Sequence, residues 1–243
     1  MFGSYPHALY LPANTRVAVK ATAATELADC RAPSSSALPP QVVRPDQCGY
    51  EIRGGGNATR QIIDILPPSF AAERLMVCEV LTPAGNWSSY PPHKHDASAP
   101  CEVVNEEIYY YRIAGPDQVT PSRTGLGYHR TYTGPEHEAA GLAPIDETLE
   151  VRDHDVVLVP HGYHGPCMAA YGYPMYYLNA MAGPAPERAL AFCDDPTHSW
   201  VRASWSGVET DPRCPVTSAS GRRDGLVPSY AEVNTPAPAK EAR

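Results

Sequence analysis

The chain has 243 residues, 43% of them hydrophobic, with 27 prolines and a formal net charge of −8. That is enough chain and apolar content for a folded core, while the acidic balance argues against nucleic acid or an anionic membrane as the main partner. Proline at about twice ordinary usage argues against long helices, because one inside a helix costs about 3 kcal/mol.

In chain order, short strands are expected at 8–11 and 16–21, then a Pro/Ser-rich linker at 31–40 and a strand at 41–44. Residues 53–57 (Arg-Gly-Gly-Gly-Asn) lack the G-K-[ST] of a phosphate loop and are read as a turn. Strands follow at 59–66 and 75–81, the second a buried apolar run. Between 85 and 184 the signals become denser, with strands at 107–113, 126–133, 148–152, 156–160 and 175–181 separated by Gly/Pro/Asp turns. Many short strands and weak helical periodicity point to an all-β jelly roll, sandwich or small barrel. A helical turn is expected within 195–201, and 206–243 reads as a polar, extended, partly disordered tail.

The seven cysteines, at 30, 48, 78, 101, 167, 193 and 214, contain no C-x-x-C. This excludes zinc-ribbon and thioredoxin-type motifs and suggests unpaired thiols in a reducing compartment. No basic-then-apolar leader and no apolar run near the ~20 residues of a membrane span are present. The expected localisation is cytoplasmic.

Nine histidines are present. His93 and His95, in Tyr-Pro-Pro-His-Lys-His-Asp, stand two apart, so on an extended strand both imidazoles share a face and can reach one metal. A later strand opens on Glu106-Glu107 ahead of Ile108-Tyr109-Tyr110-Tyr111. A third segment, from Asp155 to His164, is a buried strand ending in a Pro-x-Gly turn that delivers His164. Two histidines, a carboxylate and a third histidine form a metal set with room for substrate. His7, His137 and His198 are read as surface residues, and His161 as a residue at the site mouth. Ser88 and Ser89 lack a nucleophile-elbow setting, which argues against a hydrolase triad.

The stretches 85–96, 106–112, 155–160 and 176–184 resemble the signatures of the 5-deoxy-glucuronate isomerase family of inositol catabolism. A more distant likeness is to the ketol-isomerase of 4-deoxy-hexosulose uronates. The resemblance spans nearly the whole chain and implies a cupin fold, a double-stranded β-helix or jelly-roll barrel. It further implies a bicupin whose first domain is incomplete here: 1–70 partial N-terminal unit with linker, 71–205 the cupin carrying the metal site, 206–243 the tail. The implied ligands are His93, His95, Glu107 and His164 around a divalent metal, with zinc expected. Glu107 is preferred to Glu106 because it immediately precedes the aliphatic-then-aromatic run, although eleven residues, 96–106, intervene after His95.

The implied reaction is aldose–ketose isomerisation of a small sugar acid through an enediol, with the metal as Lewis acid. Alternation places Tyr109 and Tyr111 on the face of Glu107, where they could relay protons or simply pack. With His129 they are the candidates for proton transfer, and the base itself is left open. The substrate carboxylate needs a cation. Arg130 is the first choice, with Arg112 and Lys94 behind it, and Lys94 is expected to point away from the metal. The competing expectations are another metal-dependent cupin enzyme, such as an iron dioxygenase, and an inactive truncated bicupin with a binding role. The sequence leaves room for a homo-oligomer.

Overall fold

The computed structural model describes residues 3–35 and 38–222. The elements are β1 (Ala8–Tyr10), β2 (Gln41–Val43), β3 (Gly49–Arg53), β4 (Arg60–Leu66), β5 (Met76–Thr82), β6 (Trp87–Ser88), β7 (His93–Lys94), β8 (Glu106–Ile113) and β9 (Gly127–Tyr132), then α1 (Pro135–Ala139). They continue with β10 (Asp146–Val151), β11 (Val156–Val159), β12 (Tyr163–Ala169), β13 (Met175–Ala182), β14 (Cys193–Asp194), α2 (Trp200–Ser204), β15 (Thr217–Ser218) and β16 (Gly221–Arg222). No helix among the described residues is long and apolar enough to cross a membrane.

Two six-stranded antiparallel sheets carry the fold. One runs β11-β8-β13-β5-β4-β3 and the other β10-β9-β12-β7-β14, with β6 beside β12. This is the all-β cupin arrangement, and the pleat explains how it closes. The period of two in β8 turns Glu107, Tyr109, Tyr111 and Ile113 inward, and all four are buried. Tyr177 and Met175 of β13 join them from the adjacent strand, while Val151 of β10 and Cys167 and Ala169 of β12 face them from the other sheet. Three large tyrosine rings thus share the interior with aliphatic side chains, and the apolar area they bury together favours folding.

A second core lies on the opposite face of β4 and β5. There Ile63, Ile65, Val77 and Leu81 pack beneath Tyr5, Tyr10 and Val43. The last two come from the antiparallel pair β1–β2, in register Ala8 to Val43. β3 and β4, from the segment before residue 71, are hydrogen-bonded into the same sheet as β5. They are joined by the glycine turn at 53–57, where Gly54 has φ +93° and a Cβ would overlap the Ala58 carbonyl. The 206–222 segment folds back onto this sheet. Asp211 N–H donates to Thr59 Oγ1 (3.0 Å), and the Gln61 amide accepts from Val216 N–H at 2.7 Å and donates to the Thr217 carbonyl at 2.9 Å. The rest of the expected tail, 223–243, lies outside the described residues, as do 36 and 37 of the linker.

The structure differs from the sequence expectations in several places. Residues 16–21 form no strand: Val17 and Val19 are exposed, and alternation without a neighbouring strand to pair with does not hold an extended segment. β12 is a strand that its Gly165-Pro166 pair concealed. A register shift between His164 and Cys167 absorbs those residues. The helical turn expected within 195–201 is present, with His198 N–H donating to the Asp195 carbonyl at 2.9 Å and Val201 N–H to the His198 carbonyl at 3.0 Å, and it runs on into α2. The cysteines are not all unpaired: Cys101 and Cys193 form a disulfide that ties the 96–105 loop to β14, while Cys30, Cys48, Cys78, Cys167 and Cys214 are free. Spacing alone could not pair two cysteines 92 positions apart.

Candidate metal centre

Strand geometry brings three of the four expected ligands together. Glu107 is the first inward position of β8, and its neighbour Glu106 points to solvent. His95 follows β7, and His164 is the second residue of β12, paired with His93. Ligand atoms of His95, Glu107 and His164 lie within 4.8 Å of one another, and all three residues are buried. His93 stands outside that tight group, with its ring centroid 4.5 Å from that of His164 and 6.4 Å from that of His95.

The hydrogen bonds of the imidazoles show what these residues are built to hold. Nδ1 of His93 meets the Pro91 carbonyl at 3.0 Å, Nδ1 of His95 the Asn105 carbonyl at 2.8 Å, and Nδ1 of His164 the Gly162 carbonyl at 3.4 Å. A carbonyl only accepts, so each Nδ1 carries the hydrogen and a neutral ring presents a lone pair on Nε2. Two of those nitrogens, from His95 and His164, stand 3.0 Å from the same Glu107 oxygen, Oε2. Nε2 of His164 is buried and has no hydrogen-bond partner. Lone pairs of two imidazoles aimed at a carboxylate oxygen are the donor set of a divalent cation, so the residues fit a metal.

Burial opposes charge on Glu107, but the adjacent His164 and His95 imidazoles outweigh it and hold the carboxyl well below its usual range. Burial, reinforced by His164, holds His93 neutral, well below an ordinary imidazole. His95 is pulled both ways: burial lowers it, yet Glu107 wins and raises it.

The loop between His95 and Glu107 is pinned by charges that sequence reasoning did not anticipate. Lys94 points away from the ligands, as expected, into ion pairs with Asp96 (3.0 Å) and Glu102 (2.5 Å). Asp96 Oδ2 also accepts from Gly162 N–H at 2.6 Å and meets His137 Nε2 at 2.9 Å, tying this loop to the turn that delivers His164. His137 is therefore a buried positioning residue, not a surface one. Its place in the middle of a short α1, after the Gly-Pro pair, carries no sequence signal of burial. His161 is half-buried, with Nε2 against the Ala143 carbonyl at 2.9 Å. Gly165, directly after His164, has φ +92°, and a Cβ there would overlap the Ser89 carbonyl.

The interior beside the ligands is a linked set of polar groups. Tyr111 Oη lies 2.6 Å from His129 Nδ1 and 3.1 Å from Cys167 Sγ. His129 Nε2 has no hydrogen-bond partner, and burial, with the nearby His164, pushes this imidazole down to about 3. Tyr109 Oη bonds Ser89 Oγ at 3.1 Å, Ser89 reaches Tyr177 Oη at 3.2 Å, and Tyr177 meets Ser88 Oγ at 2.5 Å.

The expected carboxylate-binding cations are elsewhere. Arg112 faces outward from β8 and pairs with Asp153 at 2.8 Å and with Glu26. Arg130 lies on the outward face of β9, over the Tyr132 ring at 4.9 Å and paired with Asp146. Both are consequences of strand parity: inward Glu107 puts Arg112 out, and inward His129 puts Arg130 out.

Three comparisons with known proteins bear on this site. The model of the KduI/IolB family matches residues 1–201. A 5-deoxy-glucuronate isomerase of Geobacillus thermodenitrificans is 46% identical over 200 residues, covering 82% of this chain and 67% of the relative. One of Bacillus subtilis is 39% identical over 195 residues, covering 79% of this chain and 66% of the relative. The crystal structure of an IolB-like protein from Salmonella typhimurium is similar with a TM-score of 0.60 and 39% identity, over 70% of this chain and 58% of that one. The chain thus spans about two thirds of the length of the curated relatives it matches.

Proposed function

The chain belongs to the KduI/IolB family, and from that membership and its ligand set we propose that it is a metal-dependent aldose–ketose isomerase, converting 5-deoxy-D-glucuronate to 5-dehydro-2-deoxy-D-gluconate in inositol catabolism. The observation that carries this reading is the convergence of the His95 and His164 Nε2 atoms on Glu107 within a tyrosine-lined barrel. The substrate comes from the names of the relatives.

His93, His95, Glu107 and His164 would hold the ion, with zinc the choice that suits imidazole and carboxylate donors. When bound, a divalent metal supplies Lewis acidity that polarises the sugar carbonyl. The rest of the reaction falls to the chain's own groups. Isomerisation removes a proton from C2 and returns one to C1 through an enediol. His129, held at Nδ1 against Tyr111 with a buried, unpartnered Nε2, can pass a proton on, but burial weakens it as a base so that it does not keep one at neutral pH. The hydroxyl series Tyr109, Ser89, Tyr177, Ser88 offers a second path by which a proton can be held or relayed beside the ligands.

The test is proton NMR of 5-deoxy-glucuronate with the purified chain in D2O, before and after chelation. Ketose formation with deuterium at C1, lost on chelation and restored by Zn2+, supports the reading. An unchanged sugar with the metal-loaded protein, or oxygen uptake with Fe(II), overturns it.

A further inference from the structure

Two arginines are buried among the described residues, Arg60 at 3% exposure and Arg112 at 6%. Arg112 has two carboxylate partners, but Arg60 forms no ion pair among the described residues. Its guanidinium donates only to main-chain carbonyls, Ala58 at 3.0 Å and Tyr90 at 3.5 Å. A buried cation without an opposite charge is costly to keep, unless an anion arrives to meet it.

Its position matches the site already described. Arg60 opens β4 on the face of Ile62, which packs in the barrel interior with Tyr109 and Tyr177. A line of side chains leads from the ligands to it. His93 rests against Phe192 (4.9 Å between centroids), and the Arg202 guanidinium lies over Phe192 (4.9 Å) and Trp205 (5.7 Å). Arg60 lies over Trp205 at 5.4 Å. Arg53, its cross-strand partner, shares the same face. Arg53 and Arg202 are each neutralised by a two-bond pair, with Glu51 at 2.9 and 2.7 Å and with Asp194 at 2.5 and 2.7 Å. Three guanidiniums and two carboxylates leave one positive charge over, in a protein whose net charge is −8, and the geometry leaves it on Arg60. Burial pulls this guanidinium down to about 10, with Tyr177 and the more weakly acting Glu51 opposing that shift and Arg53 and Arg202 reinforcing it, so it still carries its charge at neutral pH.

We propose that Arg60 receives the carboxylate of the sugar acid, within a local positive field completed by Arg53 and Arg202, while the carbonyl end of the substrate lies toward His93, His95, Glu107 and His164. This rests on the isomerase reading, whose substrate carries a carboxylate at the end of the chain opposite the reacting carbonyl. It makes Arg60 the residue that selects acids over neutral sugars and sets which end of the molecule enters toward the ligands.

The experiment compares wild type, R60Q and R60K on 5-deoxy-glucuronate and on its uncharged carboxamide, with metal content and thermal stability measured for each. R60Q is expected to raise KM for the acid about 10–100-fold while changing turnover of the carboxamide little, and R60K is expected to recover part of the loss. Calorimetric titration of the acid into wild type and R60Q reads the same contact without turnover, so an inactive wild type would overturn the isomerase reading and still leave the Arg60 contact measurable. Equal losses on acid and carboxamide with R60Q, an unchanged affinity for the acid, or acid-selective loss with R130Q in place of R60Q would each overturn the assignment.

Discussion

Replacing Tyr111 with Phe removes one hydroxyl from the barrel interior and leaves the ring. Tyr111 is fully buried, and its hydroxyl is the short partner of His129 Nδ1 at 2.6 Å. His129 Nε2 has no hydrogen-bond partner, so the imidazole of the variant would keep only the Cys167 Sγ contact at 3.4 Å. Losing the bond costs about 1 kcal/mol, and stranding a buried ring nitrogen adds about 1–3 kcal/mol, partly offset by the sulfur. The expected destabilisation is about 2–3 kcal/mol. At about 2–4 °C per kcal/mol for a chain of this size, Tm should fall by roughly 5–10 °C, measured by calorimetry. The double variant Y111F/H129L replaces both partners with apolar groups, and should be more stable than the sum of the two single effects by about 1–2 kcal/mol. An unchanged Tm in Y111F, or strictly additive single effects, would refute the view that these groups form a coupled pair.

Two further outcomes follow from the centre and the loop beside it. H164A and E107Q should each retain less than about a tenth of the wild-type metal after dialysis, measured by elemental analysis, because one removes a ligand atom from a tight set of three and the other removes its negative charge; full retention would displace the centre from these residues. C101S opens a link between residues 92 positions apart and should lose about 2–4 kcal/mol. A reducing agent should lower the Tm of wild type similarly and leave that of C101S where it is. A wild type indifferent to reductant would show that the bridge does not form in solution.

Much of the barrel was legible from patterning. In β8, Glu107, Tyr109, Tyr111 and Ile113 are buried at every second position, so the inward face follows from the parity of Glu107. Strand geometry converts spacing into direction, which is why His95 and Glu107 could be named as candidates from the sequence, while His93 stands outside the tight group. What escaped was chemistry that depends on long-range neighbours. Arg130 and Arg112 looked suitable by type, but parity turned them outward. Arg60 looked unremarkable after a glycine turn, because its significance is that no other segment among the described residues pairs an opposite charge with it. His137, Asp96 and Glu102 act through one another across loops, and no local periodicity announces such a network. β12 was hidden because Gly165 and Pro166 break the pattern that a strand normally writes.

The amide of Gln61 joins three distant stretches of chain. Its nitrogen donates to Tyr5 Oη at 3.2 Å and to the Thr217 carbonyl, and its oxygen accepts from the Val216 and Thr217 N–H groups. Every donor and acceptor of the amide is therefore in use, and a carboxylate of the same shape could not take its place, because it has no hydrogen to give. The segments around residues 5 and 216 cannot fray independently: release of either strips a partner from the other. Hydrogen exchange at the Val216 and Thr217 amides should follow the opening of β4 rather than local loosening, so the stretch beside the arginine cluster shares the lifetime of the central sheet.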